Sequence, residues 1–326
     1  MNRMWYNKNV LIAGGGGFVG TNLVERLRSL GCKITSSYHS KKPSILYDDV
    51  EYIKADFTQK VDVQKSLIDI DYAFLLSSCS SGAAAIHSNP MIHVTPNILI
   101  NTLFLECCYE SGVKKVLYLS STTGYPESGD EFLKESQMFE GEPYSKYYMT
   151  GWSKRFSEIL CNMYSNKLHN KMPVVVLRPT NIYGPYDKFD FEKCHVLPSL
   201  IRKVIERQDP IEIWGNGEDE RDFIFIDDMI EAIVVAMEKI NTYDPVNIGY
   251  GKYYTVKELL DIIVQIDNYE NAVVTFNLDK PTMIPKHRVS LDKSRDLLGF
   301  FPKIDLVSGI KRTIDFYRGS LKCDLG

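Results

Sequence analysis

The chain has 326 residues, of which 44% are hydrophobic and 25% charged, and its formal net charge is −4. This composition is typical of a soluble globular protein, and the acidic balance argues against nucleic acid as the main partner. No apolar run approaches the length of a membrane span and the polar start MNRMWYNKN is no signal peptide, so we expect a cytoplasmic protein with no membrane partner.

The first predicted element is a strand that runs directly into a glycine-rich turn and a helix. Residues 10–13 are apolar, four glycines follow, and apolar residues then recur at helical spacing as far as Leu30. Gly14 and Gly17 would let backbone approach a pyrophosphate, and Gly20 would let the helix pack closely on the strand. The helix N-terminus would offer free N–H groups to phosphate. We therefore predict a dinucleotide site comprising Gly14, Gly17, Phe18, Val19 and Gly20.

The second predicted strand, residues 33–38, ends where the ribose of the cofactor's adenosine would lie. An Asp or Glu there would favour NAD, and none is present. Hydroxyl groups and positive charges suited to a 2′-phosphate stand there instead, which favours NADP(H) and leaves NAD(H) as the alternative. The predicted contacts are Ser37, His39 and Lys41, and the competing interpretation is a solvated basic loop that does not contact the ribose.

Strands continue to alternate with helical segments as far as residue 121. Residues 51–55, 71–77 and 115–120 are predicted strands, and a helical pattern precedes the stop at Gly112. This alternation predicts an α/β fold, a Rossmann-type doubly wound parallel sheet that binds ligands at the carboxyl ends of its strands. We expect residues 1–178 to form this domain. Residues 179–326 should form mainly a smaller α/β substrate-binding lobe, with some chain returning to the sheet.

Several of these motifs resemble the extended short-chain dehydrogenase/reductases, in their nucleotide-sugar epimerase/dehydratase branch. The G-x-x-G-x-x-G spacing is similar to the fingerprint of that family, and VLYLSSTTGYP follows a strand as the family's catalytic Ser or Thr segment does. The resemblance implies that Ser121 or Thr122 bonds the sugar oxygen. It also implies that Lys154, in GWSKRFSEILCNMY, holds the nicotinamide ribose. An acidic residue after the third strand, here Asp56 followed by Phe57, would meet the adenine.

The lysine helix departs from the family's Tyr-x-x-x-Lys signature, because the residue four before Lys154 is Thr150. In the signature, both side chains lie on one helix face and the ammonium lowers the pKa of the phenol. An aliphatic hydroxyl does not ionise so easily. Tyr144, Tyr147 and Tyr148 lie upstream, and aromatic packing is the simpler interpretation for each. Tyr147 would share the face of Lys154, but seven residues of helix rise about 10 Å, so a direct pair would need a bend.

The second half of the chain resembles the GDP-fucose synthase group of this family. VVVLRPTNIYGPYDKFDFEKCHVLPSLIRKVIER and GNGEDERDFIFIDD carry that resemblance. It implies that His195 is a catalytic acid, a role that suits imidazole because its pKa lies near neutrality. The implied nucleotide-sugar contacts are Asn181, His195, Arg202, Trp214 and Arg221. The group's second catalytic base, a cysteine, is replaced here, and Cys194 is interpreted as a buried thiol.

The function implied by the resemblance is that of an NAD(P)-dependent nucleotide-sugar oxidoreductase. It would be of the epimerase/reductase type, act at C4 of an NDP-sugar, GDP-linked by the match around His195, and serve surface polysaccharide or deoxysugar biosynthesis. Two alternatives stay open: a 4-epimerase or 4,6-dehydratase with a tightly held cofactor, and a catalytically silent cofactor-binding or sensing protein. The seven cysteines form no CxxC pair, so no metal site is predicted. The family usually dimerises through helices beginning near Pro90 and Tyr144, which makes a homodimer the expected assembly.

Overall fold

The computed structural model describes residues 4–79, 89, 91–191 and 194–323, with side chains as far as Leu321. Its strands are β1 (Asn9–Ala13), β2 (Lys33–Tyr38), β3 (Val50–Lys54), β4 (Tyr72–Leu75), β5 (Lys115–Leu119), β6 (Val174–Pro179), β7 (Asn181–Tyr183), β8 (Ile211–Trp214), β9 (Glu220–Phe225), β10 (Val246–Ile248), β11 (Tyr253–Thr255) and β12 (Val274–Asn277). Its α-helices are α1 (Phe18–Ser29), α2 (Lys60–Ser66), α3 (Thr95–Glu110), α4 (Tyr148–Asn162), α5 (Val196–Ile205), α6 (Ile226–Lys239), α7 (Val256–Ile266), α8 (Asp292–Leu298) and α9 (Leu306–Cys323).

Seven of the described strands form one parallel sheet in the order β10-β6-β5-β4-β1-β2-β3. The chain winds outward from β1 in one direction through β2 and β3, and in the other through β4, β5 and β6. The predicted Rossmann-type doubly wound sheet is therefore confirmed. The reversal lies between β1 and β4, and in such sheets ligands bind at the carboxyl ends of the strands beside the reversal.

Both faces of the sheet are buried, as a parallel sheet flanked by helices requires. Along β1, Val10 and Ile12 belong to one hydrophobic core while Leu11 and Ala13 belong to the other. Helices α1 and α6 pack together over the first core, and α3 and α4 pack together over the second. The apolar run that predicted β1 thus supplies both cores, because alternate side chains point to opposite faces.

The second lobe contains two small sheets, β11-β9-β7 and β12-β8, with α5 packed against α7. Strand β10, from this half of the sequence, pairs with β6 through Val246 and Leu177 and extends the large sheet. Helix α4 follows a single 3₁₀ turn at Ser145–Tyr147. Pro90, near which the other dimer helix is expected to begin, lies outside the described residues. Within the described part of the chain, no helix combines the length and apolar character needed to cross a membrane.

Candidate active site

The glycine turn between β1 and α1 has a backbone that larger residues could not follow. Gly14 has φ +85°, and a Cβ there would lie 2.8 Å from the backbone nitrogen of Ser77 on the neighbouring strand end. A Cβ on Gly20 would lie 2.2 Å from the carbonyl oxygen of Gly14. Gly17 occupies the N-cap of α1 and contributes no side-chain cap. The turn therefore keeps helix N–H groups available, in the arrangement that binds phosphate groups.

The residues predicted at the ribose end divide into two groups. Ser37 is buried, and its hydroxyl accepts a hydrogen bond from the Gly14 N–H at 3.1 Å, so it supports the turn from below. His39 and Lys41 are exposed beyond the end of β2. The His39 ring lies 4.0 Å from the Asp56 carboxylate. Only the exposed pair has side chains available to meet a 2′-phosphate.

Asp56 and Phe57 follow β3 at the predicted adenine position. The Asp56 carboxylate accepts hydrogen bonds from the Thr58 hydroxyl at 2.7 Å and N–H at 3.0 Å, which lower the pKa of Asp56. The Phe57 ring is buried with its centroid 5.7 Å from that of Phe104. Phe57 therefore has only its backbone to offer a ligand, whereas the Asp56 side chain is partly exposed.

A cavity of about 990 Å³ extends from the glycine turn, past the ends of β4 and β5, to α5 in the second lobe. Its wall contains most of the predicted site residues: Gly14, Gly17, Phe18, Val19, Gly20, Ser121, Thr150, Lys154, Asn181, His195, Trp214 and Arg221. The described wall does not include Ser37, His39, Lys41, Asp56, Phe57, Thr122 or Arg202. The fold thus brings together, on one continuous surface, residues that are more than 200 positions apart in the sequence.

Lys154 lies in this wall on α4. Its ammonium donates a hydrogen bond to the carbonyl oxygen of Leu119 at 3.2 Å and lies 5.2 Å from the centre of the Tyr118 ring. Burial lowers the pKa of Lys154 to about 8, and the nearby Glu158 carboxylate opposes this shift. The side chain is held at the end of β5, beside the segment that contains Ser121.

The position of the missing tyrosine is filled by Thr150, whose hydroxyl is buried and has no hydrogen-bond partner among the described residues. The 3₁₀ turn before α4 interrupts the helix just upstream, which supplies the bend that a contribution from Tyr147 would need. Tyr147 lines the cavity, whereas the described wall includes neither Tyr144 nor Tyr148. Burial raises the pKa of Tyr147, with Arg221 opposing, so its phenol stays protonated at neutral pH.

A cluster of polar side chains adjoins the cavity, and Ser120 belongs to both. It is here named the buried network: Ser120, Tyr125, Glu158, Arg178 and Tyr243. The Glu158 carboxylate accepts hydrogen bonds from Arg178 at 2.6 Å, Ser120 at 2.6 Å and Tyr243 at 3.0 Å. Arg178 also donates to the Tyr125 hydroxyl at 2.7 Å. Arg178, the first residue of the R-P-x-N motif (residues 178–181), therefore faces the interior, whereas Pro179, Thr180 and Asn181 line the cavity.

His195 occupies the N-cap of α5 and lines the cavity between the two lobes, with protein on several sides of it. Burial lowers its pKa, and the positive charge of Lys188 and the nearby His93 lower it further. The ring is therefore neutral near pH 7. His93 and Lys188 also line the cavity and carry no motif that sequence reasoning could use. The adjoining Cys194 is buried, and burial raises the pKa of its thiol.

Arg202 lies outside the described cavity wall. Its guanidinium donates hydrogen bonds to Glu206 at 2.9 Å and to the carbonyl oxygen of Phe189 at 2.9 Å, and it lies 4.0 Å from the centre of the Phe191 ring. The next residue of α5, Lys203, lines the cavity instead, because consecutive residues on a helix point in different directions. The sequence analysis did not predict Lys203, although the two adjacent basic residues at 202–203 could have indicated that either one contacts the ligand.

The remaining predicted substrate contacts are fixed by short hydrogen bonds. Arg221 donates to the carbonyl oxygen of Glu220 at 2.7 Å and to Asp219 at 3.3 Å. Asn181 donates to the carbonyl oxygen of Asp222 at 2.9 Å. The Trp214 indole N–H donates to Glu212 at 3.0 Å. All three predicted side chains (Asn181, Trp214 and Arg221) therefore present preset surfaces to the cavity.

A smaller recess of about 70 Å³ adjoins the same residues. Its wall is formed by Ser121, Thr122, Thr123, Tyr147, Pro179, Thr180, Asn181, Arg221, Asp222 and His287. The Ser121 hydroxyl accepts hydrogen bonds from the Thr123 hydroxyl at 3.0 Å and N–H at 3.2 Å. No motif predicted His287 in this wall. In the part of the chain that the structure describes, no three His, Cys, Asp or Glu side chains are grouped to hold a metal ion.

Comparison with known proteins agrees with this architecture. The sequence model of the NAD dependent epimerase/dehydratase family matches residues 10–249. GDP-L-fucose synthase 1 of Arabidopsis thaliana is 28% identical over 315 residues, which cover 94% of this chain and 92% of the plant protein. UDP-glucose 4-epimerase of Thermotoga maritima has a TM-score of 0.85 at 25% identity, with 96% of this chain and 99% of that chain covered. UDP-glucuronic acid 4-epimerase of Bacillus cereus, solved with UDP-glucuronic acid and NAD, has a TM-score of 0.83 at 25% identity, with coverage of 96% and 99%. This chain belongs to the NAD dependent epimerase/dehydratase family.

Proposed function

We propose that this protein is an NAD(P)-dependent oxidoreductase of the epimerase/reductase type that acts at C4 of a GDP-linked sugar. Surface polysaccharide or deoxysugar biosynthesis would use such a product. One observation carries the proposal: a single cavity connects the glycine turn to α5 and has Ser121, Lys154 and His195 in its wall. A dinucleotide and a nucleotide sugar would meet in such a cavity.

The glycine turn fits a dinucleotide, since glycine at positions 14 and 20 lets the strand end, turn and helix pack closely, and α1 begins without a side-chain cap on its N–H groups. When bound, NAD(P) supplies the hydride acceptor or donor. The turn would hold its pyrophosphate, and Lys154 would hold the nicotinamide ribose. We favour NADP(H) over NAD(H), because β2 ends without an acidic residue and is followed by the exposed His39 and Lys41.

The chain's own residues divide the proton chemistry among them. Ser121 bonds the C4 oxygen of the sugar and fixes its position. Thr150 occupies the position of the family's catalytic tyrosine, and Tyr147 takes over its role. The protonated phenol of Tyr147 donates a hydrogen bond or proton to that oxygen. His195, neutral near pH 7, relays a proton at the opposite end of the sugar.

The second lobe would bind the nucleotide diphosphate. Lys203 and Arg221 bring positive charge to the cavity wall, and diphosphate oxygens accept hydrogen bonds from such groups. Asn181 and Trp214 offer an amide and an aromatic surface beside them. The preference for GDP rests on the 28% identity to a GDP-L-fucose synthase.

A 4-epimerase or 4,6-dehydratase that keeps its cofactor is the second candidate. The similarity to UDP-glucose 4-epimerase over 99% of that chain favours it. Such an enzyme would return to the sugar the hydride that it removes, and it would need no external reductant.

The protein would act as a homodimer through α3 and α4. An apolar stripe on α4, continued by the next residue of the chain, is exposed, with 39–46% of each residue's surface accessible: Tyr148, Met149, Trp152, Phe156, Ile159 and Met163. Exposed apolar stripes of this size mark interaction surfaces. Trp152→Glu combined with Phe156→Glu should yield a monomer in light scattering, and an unchanged mass would contradict this interface.

Mass spectrometry of the small molecules released from undialysed protein tests the proposed function. An empty protein that oxidises added NADPH with a GDP-4-keto-6-deoxysugar supports the reductase. A stoichiometric NAD or NADP retained through purification supports the second candidate, and its mass identifies the cofactor. A protein that retains no dinucleotide and leaves a panel of GDP- and UDP-sugars unchanged with NAD(H) or NADP(H) would contradict both.

A further inference from the structure

Strand β8 presents a carboxylate to the cavity in the second lobe. Glu212 and Trp214 are two positions apart on β8, so their side chains point to the same side of the strand. Their partners in the parallel pairing with β12 are Thr275 and Asn277, which point to that side as well. Glu212, Trp214 and Thr275 line the cavity, and Glu212 is partly exposed. One face of this small sheet is therefore part of the cavity wall.

Two neutral donors hold the Glu212 carboxylate in place. The indole N–H of Trp214 donates to Oε1 at 3.0 Å, and the side-chain amide of Asn277 donates to Oε2 at 2.8 Å. The hydrogen bonds from Asn277 and Trp214 lower the pKa of Glu212, so the group is ionised at neutral pH. A carboxylate has about four acceptor sites on its two oxygens. One site on each oxygen therefore remains for a ligand, and the two sites lie side by side.

Helix α5 shows where this face lies along the cavity. His195 stands at the N-cap of α5, and Lys203 follows eight positions later, which corresponds to about 12 Å of helix rise. The Lys203 ammonium donates a hydrogen bond to the backbone carbonyl oxygen of Glu212 at 2.6 Å. With the sugar near His195 and the diphosphate near Lys203, the nucleoside extends towards β8.

The chemistry of a carboxylate restricts which part of the nucleotide meets Glu212. Phosphate oxygens only accept hydrogen bonds, as carboxylate oxygens do, so the diphosphate gains nothing there. The donors of a nucleoside are the ribose hydroxyls and the N–H groups of the base. The Trp214 indole beside the carboxylate offers a planar surface, which suits a base better than a ribose.

Guanine is the base whose donors match the two remaining acceptor sites. It carries N1–H and the 2-amino group next to each other on one edge. Uracil and thymine have a single N–H between two carbonyl oxygens, which a carboxylate repels. Adenine and cytosine place an acceptor nitrogen of the ring beside their amino group. Two adjacent donors on one edge therefore distinguish guanine from the other four bases.

We propose that Glu212 selects guanine, its carboxylate accepting hydrogen bonds from N1–H and the 2-amino group of the base. The inference rests on the proposed function, because it assumes that a nucleotide sugar occupies the cavity. It supplies a structural reason for the preference for GDP, which otherwise depends on a sequence comparison. A base without these donors is rejected, because the carboxylate then loses water and gains no partner.

One substitution and three nucleotides test this contact. Glu212→Gln keeps the size of the side chain and an oxygen for the Trp214 N–H, but removes the charge and one acceptor. Glu218→Gln makes the same chemical change at an exposed position outside the described cavity wall, and is the matched control. The nucleotides are GDP, UDP and inosine diphosphate (IDP), whose base keeps N1–H and lacks the 2-amino group.

Titration calorimetry would measure each diphosphate against each protein. The wild type should bind GDP about 10-fold more tightly than IDP, because the 2-amino group donates to a charged acceptor. Glu212→Gln should weaken GDP at least about 10-fold, reduce the difference between GDP and IDP to about twofold, and leave UDP within about twofold. Glu218→Gln should leave all three within about twofold.

Equal binding of GDP and IDP to the wild type would overturn the inference, and this result depends on no variant being able to fold. Equal losses for GDP, IDP and UDP in Glu212→Gln would also overturn it, because the three share the ribose and such losses indicate a ribose contact or a structural role. If none of the diphosphates binds to the wild type, the proposed function fails and the inference fails with it. If all three bind without a preference for GDP, the inference alone fails.

Discussion

Helix α4 carries residues of two adjoining polar regions that differ in how completely their hydrogen bonds are made. In the buried network, the Glu158 carboxylate accepts from three side chains at 2.6–3.0 Å. One turn earlier, Lys154 faces the cavity and meets only a carbonyl oxygen, at 3.2 Å, as a hydrogen-bond partner in the described structure. The Thr150 hydroxyl beside it has no partner among the described residues.

This difference separates stability from function along one helix. A buried charge whose partners are all present holds segments together, and removing one partner leaves the other buried and unpaired. Polar atoms left without partners in a cavity wall reduce stability, and a ligand that binds there can supply the missing hydrogen bonds. The buried network should therefore respond to mutation in its unfolding free energy, and the cavity wall in turnover.

The largest effect is expected from Arg178→Met, which leaves the Glu158 carboxylate without its cation in the interior. The unfolding free energy measured with urea should fall by about 3–5 kcal/mol. Arg26→Met is the control, because the Arg26–Glu231 ion pair at 2.5 Å is partly exposed and is worth at most about 1 kcal/mol. A loss below about 1 kcal/mol for Arg178→Met would remove the distinction between the two regions.

The next largest effect is expected from Lys154→Met, which removes a cation from the cavity wall. kcat/KM for the nucleotide-sugar substrate should fall at least about 100-fold, the size of effect seen when one electrostatic group of an active site is deleted. The unfolding free energy near pH 7 should not decrease, because holding the Lys154 charge in a partly buried site is unfavourable and the substitution removes that charge. Reduced stability with retained turnover would assign Lys154 to the structural region.

Tyr147→Phe tests whether the phenol in the recess replaces the missing tyrosine. kcat should fall about 10–50-fold with KM little changed, because the hydroxyl acts on the reacting oxygen. Tyr144→Phe is the matched control, since the Tyr144 ring packs edge-on against Tyr147 with ring centres 6.3 Å apart but lies outside the described cavity wall. Equal activity of the two variants would leave Tyr147 as packing.

The smallest effect concerns the pH dependence of stability. Burial lowers the pKa of Lys154 from its ordinary value of 10.5 to about 8, so between these values the unfolded chain binds more protons than the folded one. Stability therefore rises with pH across this window. Relative to Lys154→Met, the wild type should gain about 1 kcal/mol by pH 10, after allowance for solvent at the partly exposed side chain. A flat difference would contradict this result.

Much of the fold was predictable because its signals are local. The predicted strand 33–38 coincides with β2, and the other predicted strands of the large sheet differ from the structure by at most two residues at either end. Apolar runs and glycine spacing report on neighbouring residues, and neighbours decide strands and turns. Lys154 and His195, which line the cavity, were predicted as site residues from the family resemblance of the segments around them.

The parts that sequence reasoning missed depend on where distant segments meet. His287 and Thr122 line the same recess although more than 160 residues separate them, and nothing around His287 in the sequence indicates this proximity. Lys203 lines the cavity in place of the predicted Arg202 because of how α5 is rotated about its own axis in the lobe. One position along a helix changes the side-chain direction by about 100°. The inward orientation of Arg178 likewise could not be predicted from its own segment, because its partner Glu158 lies on another element.

The R-P-x-N segment has a consequence for laboratory evolution of substrate range. Four consecutive positions run from Arg178, which the interior needs, to Asn181, which faces the cavity. A library that randomises the whole segment would consist mostly of proteins destabilised by the loss of the Arg178–Glu158 ion pair. Diversity confined to Thr180 and Asn181, together with His287 in the same recess, would explore new sugars while the scaffold stays intact.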